Sequence, residues 1–167
     1  MNAWLKAINP FAPIETEAEA LRAARASALS LWLSGIKWIV AALLLIDHMP
    51  EIKAAMWESE SASSGMVRGL VGNGLAEATV IITAAIGLFQ MLMGAVQWRT
   101  PNGAIPLVFL VLSSYGLVQA LWGDVSGASG GSEAWSAAFS YLTLIVAVVF
   151  HWAGVRGAGR LEAIRRR

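Results

Sequence analysis

The chain has 167 residues, 57% of them hydrophobic and 14% charged, against roughly 45–50% and about 25% in soluble domains. A soluble fold of this size has too small an interior to hide that much apolar surface. The formal net charge of +1 points neither to nucleic acid nor to a strongly acidic partner, and the lack of cysteine excludes disulfides, thiolate metal centres, iron–sulfur clusters and cysteine nucleophiles.

Residues 1–27 read as an N-terminal segment lying in the membrane interface or the cytoplasm. Trp4, Leu5, Ile8 and Phe11 recur at helical spacing ahead of Pro13, the pattern of an interfacial anchor; a disordered tail is the alternative. Pro10, Pro13, Glu15, Glu17 and Glu19 precede the first long apolar run, which is not the order of a cleaved secretory signal, so that run is expected to be retained. Thr16 and Glu19 fit a capping box, in which the two side chains satisfy each other's free amides at a helix start. A helix is therefore expected near Glu17, and only Gly35 interrupts its pattern before Ile46.

Crossing a hydrocarbon core of about 30 Å takes about 20 residues of helix. Four stretches qualify, at 28–46, 76–97, 105–122 and 135–155, and together they make residues 28–155 a transmembrane domain. Pro50-Glu51 marks the start of a short helix carrying Ile52, Ala55, Met56 and Trp57 between the first two spans. Residues 59–65 and the Gly/Ser-rich 123–132 read as flexible connections. Pro106 falls where a helix's first turn has no amide to lose. Trp98, Trp122, Trp135 and Trp152 sit near span ends, at the headgroup level that indole rings prefer.

Basic residues resist translocation and so report orientation. Lys6, Arg22, Arg25, Arg99 and the tail 156–167, with Arg156, Arg160, Arg165, Arg166 and Arg167, fall on one side. The other side has Lys53 and Arg68 with most of the acids. Both termini are expected to face the cytoplasm, with the basic tail against anionic lipid.

Each span carries a line of small or polar residues at the spacing of left-handed packing. Ser27, Ser30, Ser34, Lys37 and Ala41 mark it in the first span, Thr83, Gly87, Gln90, Gly94 and Gln97 in the second, Ser113, Gly116, Ala120 and Gly123 in the third, Ser136, Ser140, Thr143 and Ala147 in the fourth. These faces are expected to turn toward the bundle interior or another subunit, with Leu43, Ile82, Phe109 and Val148 tending toward lipid. Lys37 falls mid-span with no acid at its depth, and a lysine there costs about 2.5–3.5 kcal/mol on insertion scales. It can snorkel to the cytoplasmic interface, meet Gln90, Ser113 and Ser114 in an intramembrane polar site, pair with a partner's anion, or serve a proton or solute path. His48 and His151 lie near opposite faces, too far apart to share one haem. His151 is expected to hydrogen-bond at the interface near Arg156, and Asp47, His48 and Glu51 offer weak metal-ligand chemistry. No catalytic, metal or cofactor motif emerges.

The expected fold is all-α: a polytopic membrane protein built as a left-handed four-transmembrane-helix bundle, with an N-terminal cytoplasmic or interfacial helix. Small multidrug transporters differ in using a glutamate in their first span, and claudin-like and vitamin K epoxide reductase-type proteins need cysteines. The expected role is that of a non-enzymatic accessory, assembly or scaffold subunit in a bacterial inner membrane. Its partners would be membrane lipids and other membrane-protein subunits, or further copies of itself, and not nucleic acid. A small oligomeric transporter or channel using the polar faces and Lys37 is the alternative.

Overall fold

The structure is a computed structural model that describes residues 3–60, 74–125 and 134–166, and every regular element among them is a helix. In chain order these are α1 (Ala3–Ile8), α2 (Glu17–Asp47), α3 (Met49–Glu60), α4 (Leu75–Arg99), α5 (Ala104–Val125) and α6 (Ala134–Arg165). Four of them, α2, α4, α5 and α6, are long and apolar enough to cross a membrane. The flexible connections expected at 59–65 and 123–132 lie mostly outside the described residues, and α3 and α5 reach into the first residues of each. The basic segment after residue 155 is helical, because α6 continues without a break to Arg165.

Local chemistry sets the helix starts. At α2 the Glu19 amide donates to Thr16 Oγ1 at 3.2 Å and the Thr16 amide donates back to Glu19 Oε2 at 3.3 Å, the two reciprocal bonds of a capping box. The same carboxylate accepts from the Glu15 amide at 2.9 Å and from Lys6 Nζ at 2.6 Å, tying α1 to the start of α2. α3 follows α2 after the single residue His48, and Pro50 occupies its first turn, where proline's missing amide costs nothing. Asn102 Oδ1 accepts from the Ala104 and Ile105 amides at 3.1 Å each, capping α5 just ahead of Pro106.

The chain divides into two compact units, residues 1–31 with 93–167, and residues 32–92. In the first, Ala20, Ala23, Ala24, Ala26, Ser27 and Ala28 of α2 are all fully buried. Successive helical residues point about 100° apart, so burial of 26, 27 and 28 together means that α2 is enclosed around most of its circumference. α6 runs antiparallel against it at van der Waals limits. A Cβ on Gly157 would lie 2.2 Å from the Ala24 nitrogen and 2.6 Å from the Ala23 carbonyl carbon. One on Gly154 would lie 2.6 Å from Ser27 Cβ and 2.9 Å from Pro106 Cβ. α5 and α6 also pair antiparallel: Phe109 stacks on His151, Gly116 meets Leu144, and the Tyr141 hydroxyl donates to the Ala120 carbonyl at 3.1 Å.

The second unit is held by a similar crossing of α2 with α4. A Cβ on Gly35 would fall 2.8 Å from the Gly87 carbonyl oxygen, and one on Gly87 would fall 2.9 Å from the Gly35 carbonyl oxygen. Trp32 Nε1 donates to the Met91 carbonyl at 3.2 Å beside this crossing. Gly35, read from sequence only as an interruption, is thus the point where two backbones touch. Lys53 pairs with Glu77 to tie α3 to α4.

Two outcomes test these contacts. Gly157→Ala is expected to cost about 1–3 kcal/mol or more by overpacking, whereas Gly159→Ala, whose Cβ would meet nothing within 4 Å, should be neutral or gain up to about 1 kcal/mol of helix propensity; thermal unfolding in detergent reads both. The Lys6–Glu19 contact predicts a pH window for α1 docking. The hydrogen bond from Lys6, then those from the Glu15 and Thr16 amides, lower the Glu19 carboxyl from its ordinary 4.5 to about 2, and the bond to Glu19 raises Lys6 above its ordinary 10.5. The carboxylate's contribution is therefore present above its ordinary value and lost as pH falls toward 2. The ammonium's is complete below 10.5 and lost as pH rises through the raised value. Protease protection of residues before Thr16 should be flat between these limits and fall beyond both; a midpoint near neutrality would refute the assignment.

Candidate functional site

The sequence-derived polar residues divide between the two units. Lys37 and Gln90 belong to residues 32–92, Ser113 and Ser114 to the other unit. Lys37 is exposed, with its Nζ 5.8 Å from the centroid of the Trp38 ring. It lies two residues, about 200° around the helix, from Gly35, so it points away from the α2–α4 crossing. Gln90 is half-buried and its Oε1 is buried without a hydrogen-bond partner among the described residues. Ser113 and Ser114 are both half-buried.

The expected packing faces fare unequally. Ser30, Thr83, Gly87 and Gly94 are buried, and Ser34, Gly116, Ala120 and Thr143 are half-buried. Thr83 and Thr143 return their hydroxyls to the carbonyls of Thr79 and Phe139, at 2.7 and 2.8 Å, so neither needs a neighbouring helix as acceptor. Ser140 is exposed in the single chain, where it is available only to a second subunit. Leu43 and Ile82 face outward as expected, whereas Phe109 and Val148 are half-buried, Phe109 because its ring lies 5.8 Å from that of His151.

His151 is enclosed by the protein and does not bond Arg156. It is only 2% exposed, and its Nδ1 is 2.7 Å from Ser27 Oγ, itself fully buried. Because Gly154 has no side chain, Ser27 comes close to α6 and its hydroxyl reaches the imidazole. A turn of helix away, Gln97 of α4 is also fully buried. Its Nε2 donates to the carbonyls of Ala24 and Asn102, each at 3.1 Å, while its Oε1 accepts from the Asn102 amide at 3.3 Å. One amide thereby stitches α2, the end of α4 and the turn into α5. Next to it Arg25 Nε donates to the Trp98 carbonyl at 3.1 Å, with the guanidinium 5.0 Å from the Trp98 ring centroid. Trp4 of α1 stacks on Trp98, centroids 6.4 Å apart. This polar cluster is satisfied internally, so it reads as the framework of the first unit.

The outward face of α5 is different. Tyr115 is 62% exposed and Gln119 is also exposed, with Gln119 Nε2 2.5 Å from the Tyr115 hydroxyl. Tyr115 is the twelfth residue of α5, about 16 Å along a helix that rises 1.5 Å per residue, near mid-span. Tyrosine prefers the membrane–water interface to that depth. Their i, i+4 spacing places the two on one face, but the sequence reading followed the small residues Gly116 and Ala120 and passed over them. Asp47, His48 and Glu51 form no site: among the described residues no three histidine, aspartate or glutamate side chains gather as metal ligands, and His48 Nδ1 instead contacts the Leu44 carbonyl at 3.0 Å.

No protein-family model, curated protein or solved structure matches this chain.

The Gln97 stitch gives a direct test. Gln97→Leu keeps the volume but removes the partner of the half-buried Asn102 amide and carbonyl, at a cost of about 1 kcal/mol. Amide exchange should quicken at the start of α5 before it does elsewhere; unchanged exchange there would show that the turn is held by other contacts.

Proposed function

We propose that this chain is a non-enzymatic accessory, assembly or scaffold subunit that associates with other membrane proteins through the outward face of α5. In this reading it resides in a bacterial inner membrane as a left-handed bundle, with both termini cytoplasmic and residues 1–27 at the membrane interface. The Tyr115–Gln119 pair supports it best. A primary amide has two donors and an acceptor, and one bond to a neighbouring hydroxyl leaves most of that capacity facing hydrocarbon, where unmet polar groups are costly. A neighbouring helix with a hydroxyl, amide or carbonyl at this depth removes that cost. The apolar residues Val111, Val118 and Trp122, also exposed on α5, supply the surrounding contact area.

A small oligomeric transporter or channel is the second reading, and the observation that favours it is the buried Gln90 Oε1, which has no hydrogen-bond partner among the described residues. A polar solute or a water would satisfy that oxygen, with Lys37 as a charged group on the same unit.

Solubilising the native complex in mild detergent and measuring its mass and composition tests both. The first reading predicts larger partners at fixed stoichiometry. Tyr115→Phe or Gln119→Leu should weaken their retention about 3- to 20-fold, from interhelical hydrogen bonds of about 0.6–1.7 kcal/mol. A homo-oligomer alone would sink it, and flux through proteoliposomes that Lys37→Leu abolishes would establish the second.

A further inference from the structure

We propose that a groove beside α6 binds the phosphate of an anionic phospholipid headgroup, with Arg160 as its principal ligand. The groove is a shallow, open depression of about 480 Å³, lined by Ile14 on one side and by Val155, Arg156, Gly159, Arg160 and Ala163 of α6 on the other. Its floor is kept open by a missing side chain, since a Cβ on Gly159 would meet nothing within 4 Å.

The two arginines differ in what they have left to give. Arg156 spends its terminal nitrogens on backbone carbonyls, Nη1 on Asn9 at 3.1 Å and Nη2 on Ala12 at 2.8 Å. It is a fixed cation whose charge those neutral acceptors do not cancel. Arg160 spends only Nε, on the Ile14 carbonyl at 3.1 Å. That bond orients the guanidinium and leaves Nη1 and Nη2 without a partner among the described residues, a fork that matches two oxygens of one phosphate. No carboxylate lines the groove: Glu17 is engaged by Arg165 and Glu162 by Arg166.

Position along α6 selects the ligand. Val155 closes the last apolar stretch, and Arg156 and Arg160 follow within about 8 Å of helix rise, the depth at which lipid phosphates begin. Ile14, Val155, Gly159 and Ala163 provide an apolar lining for the glycerol end of a lipid, which a free anion does not need. Phe11, on the segment whose carbonyls hold Arg156 and Arg160, is 92% exposed, as suits a side chain dipping into the same bilayer.

The test uses the delipidated full-length chain in neutral detergent, titrated with short-chain phosphatidylglycerol, phosphatidylcholine or inorganic phosphate and read by native mass spectrometry. One phosphatidylglycerol should bind per chain, more tightly than phosphatidylcholine. Arg160→Gln should weaken it on the order of tenfold or more. Gly159→Leu should weaken it similarly with every charge retained, since its side chain fills the groove. Arg166→Gln removes an equal charge from an arginine outside the groove and should change affinity less than about twofold, so it controls for diffuse attraction. Equal losses from Arg160→Gln and Arg166→Gln, with none from Gly159→Leu, would show diffuse attraction and overturn the site. Inorganic phosphate that binds as tightly as the lipid and displaces it would overturn the lipid assignment.

Discussion

The first unit depends on one steric constraint, the approach of α6 to α2 at Gly154 and Gly157. With the Gly157 position only 2.2 Å from a backbone nitrogen once a Cβ is added, the two helices touch main chain to main chain. That closeness is what the run of buried alanines in α2 serves, because no larger side chain fits between helices so near each other. It also brings Ser27 within 2.7 Å of His151, and the enclosed α2 offers its Ala24 carbonyl to Gln97. Within this unit the buried polar cluster follows from the glycines, since hydrogen bonds of this length need backbones already in place.

Close packing by small residues has a particular value in hydrocarbon. Lipid tails are as apolar as leucine, so burying large aliphatics gains little there, and association relies on dispersion, hydrogen bonds and lipid release. Both units follow this rule: Gly154 and Gly157 set one crossing, Gly35 and Gly87 the other, while Leu43, Leu88, Val111 and Leu142 remain on the outside. The same rule explains why exposed apolar residues on these helices need no special account, whereas exposed Tyr115 and Gln119 do.

Features fixed by neighbours in sequence were legible. The capping box at Thr16 and Glu19 needs only residues three apart, the helix start at Pro50 follows from proline's missing amide, and four apolar helices follow from hydropathy and length. Features fixed by helix partners were not. A stripe read at a constant period assumes that a helix keeps one face inward throughout, yet in α2 the first unit encloses most of the circumference and the second buries the side marked by Gly35. Lys37 sits on the projected stripe and is nevertheless exposed. His151 looked interfacial because Arg156 is one turn away, and only the approach of Ser27, 124 residues distant in sequence, buries it. Gln97 lay on the stripe, but its role rests on Asn102 and Ala24, which no periodicity connects.

The arginine bonds from α6 to the N-terminal segment bear on how the protein is made. The carbonyls of Asn9, Ala12 and Ile14 are held by Arg156 and Arg160, 144 to 147 residues further along the chain. The ribosome delivers those arginines long after the carbonyls they bind. Until α6 emerges, residues 9–14 lack these native hydrogen-bond partners, and loop-closure entropy opposes such long-range contacts until that helix is in place. Fastening of residues 9–14 thus waits on α6, which must be made before the carbonyls it holds can be satisfied in this way.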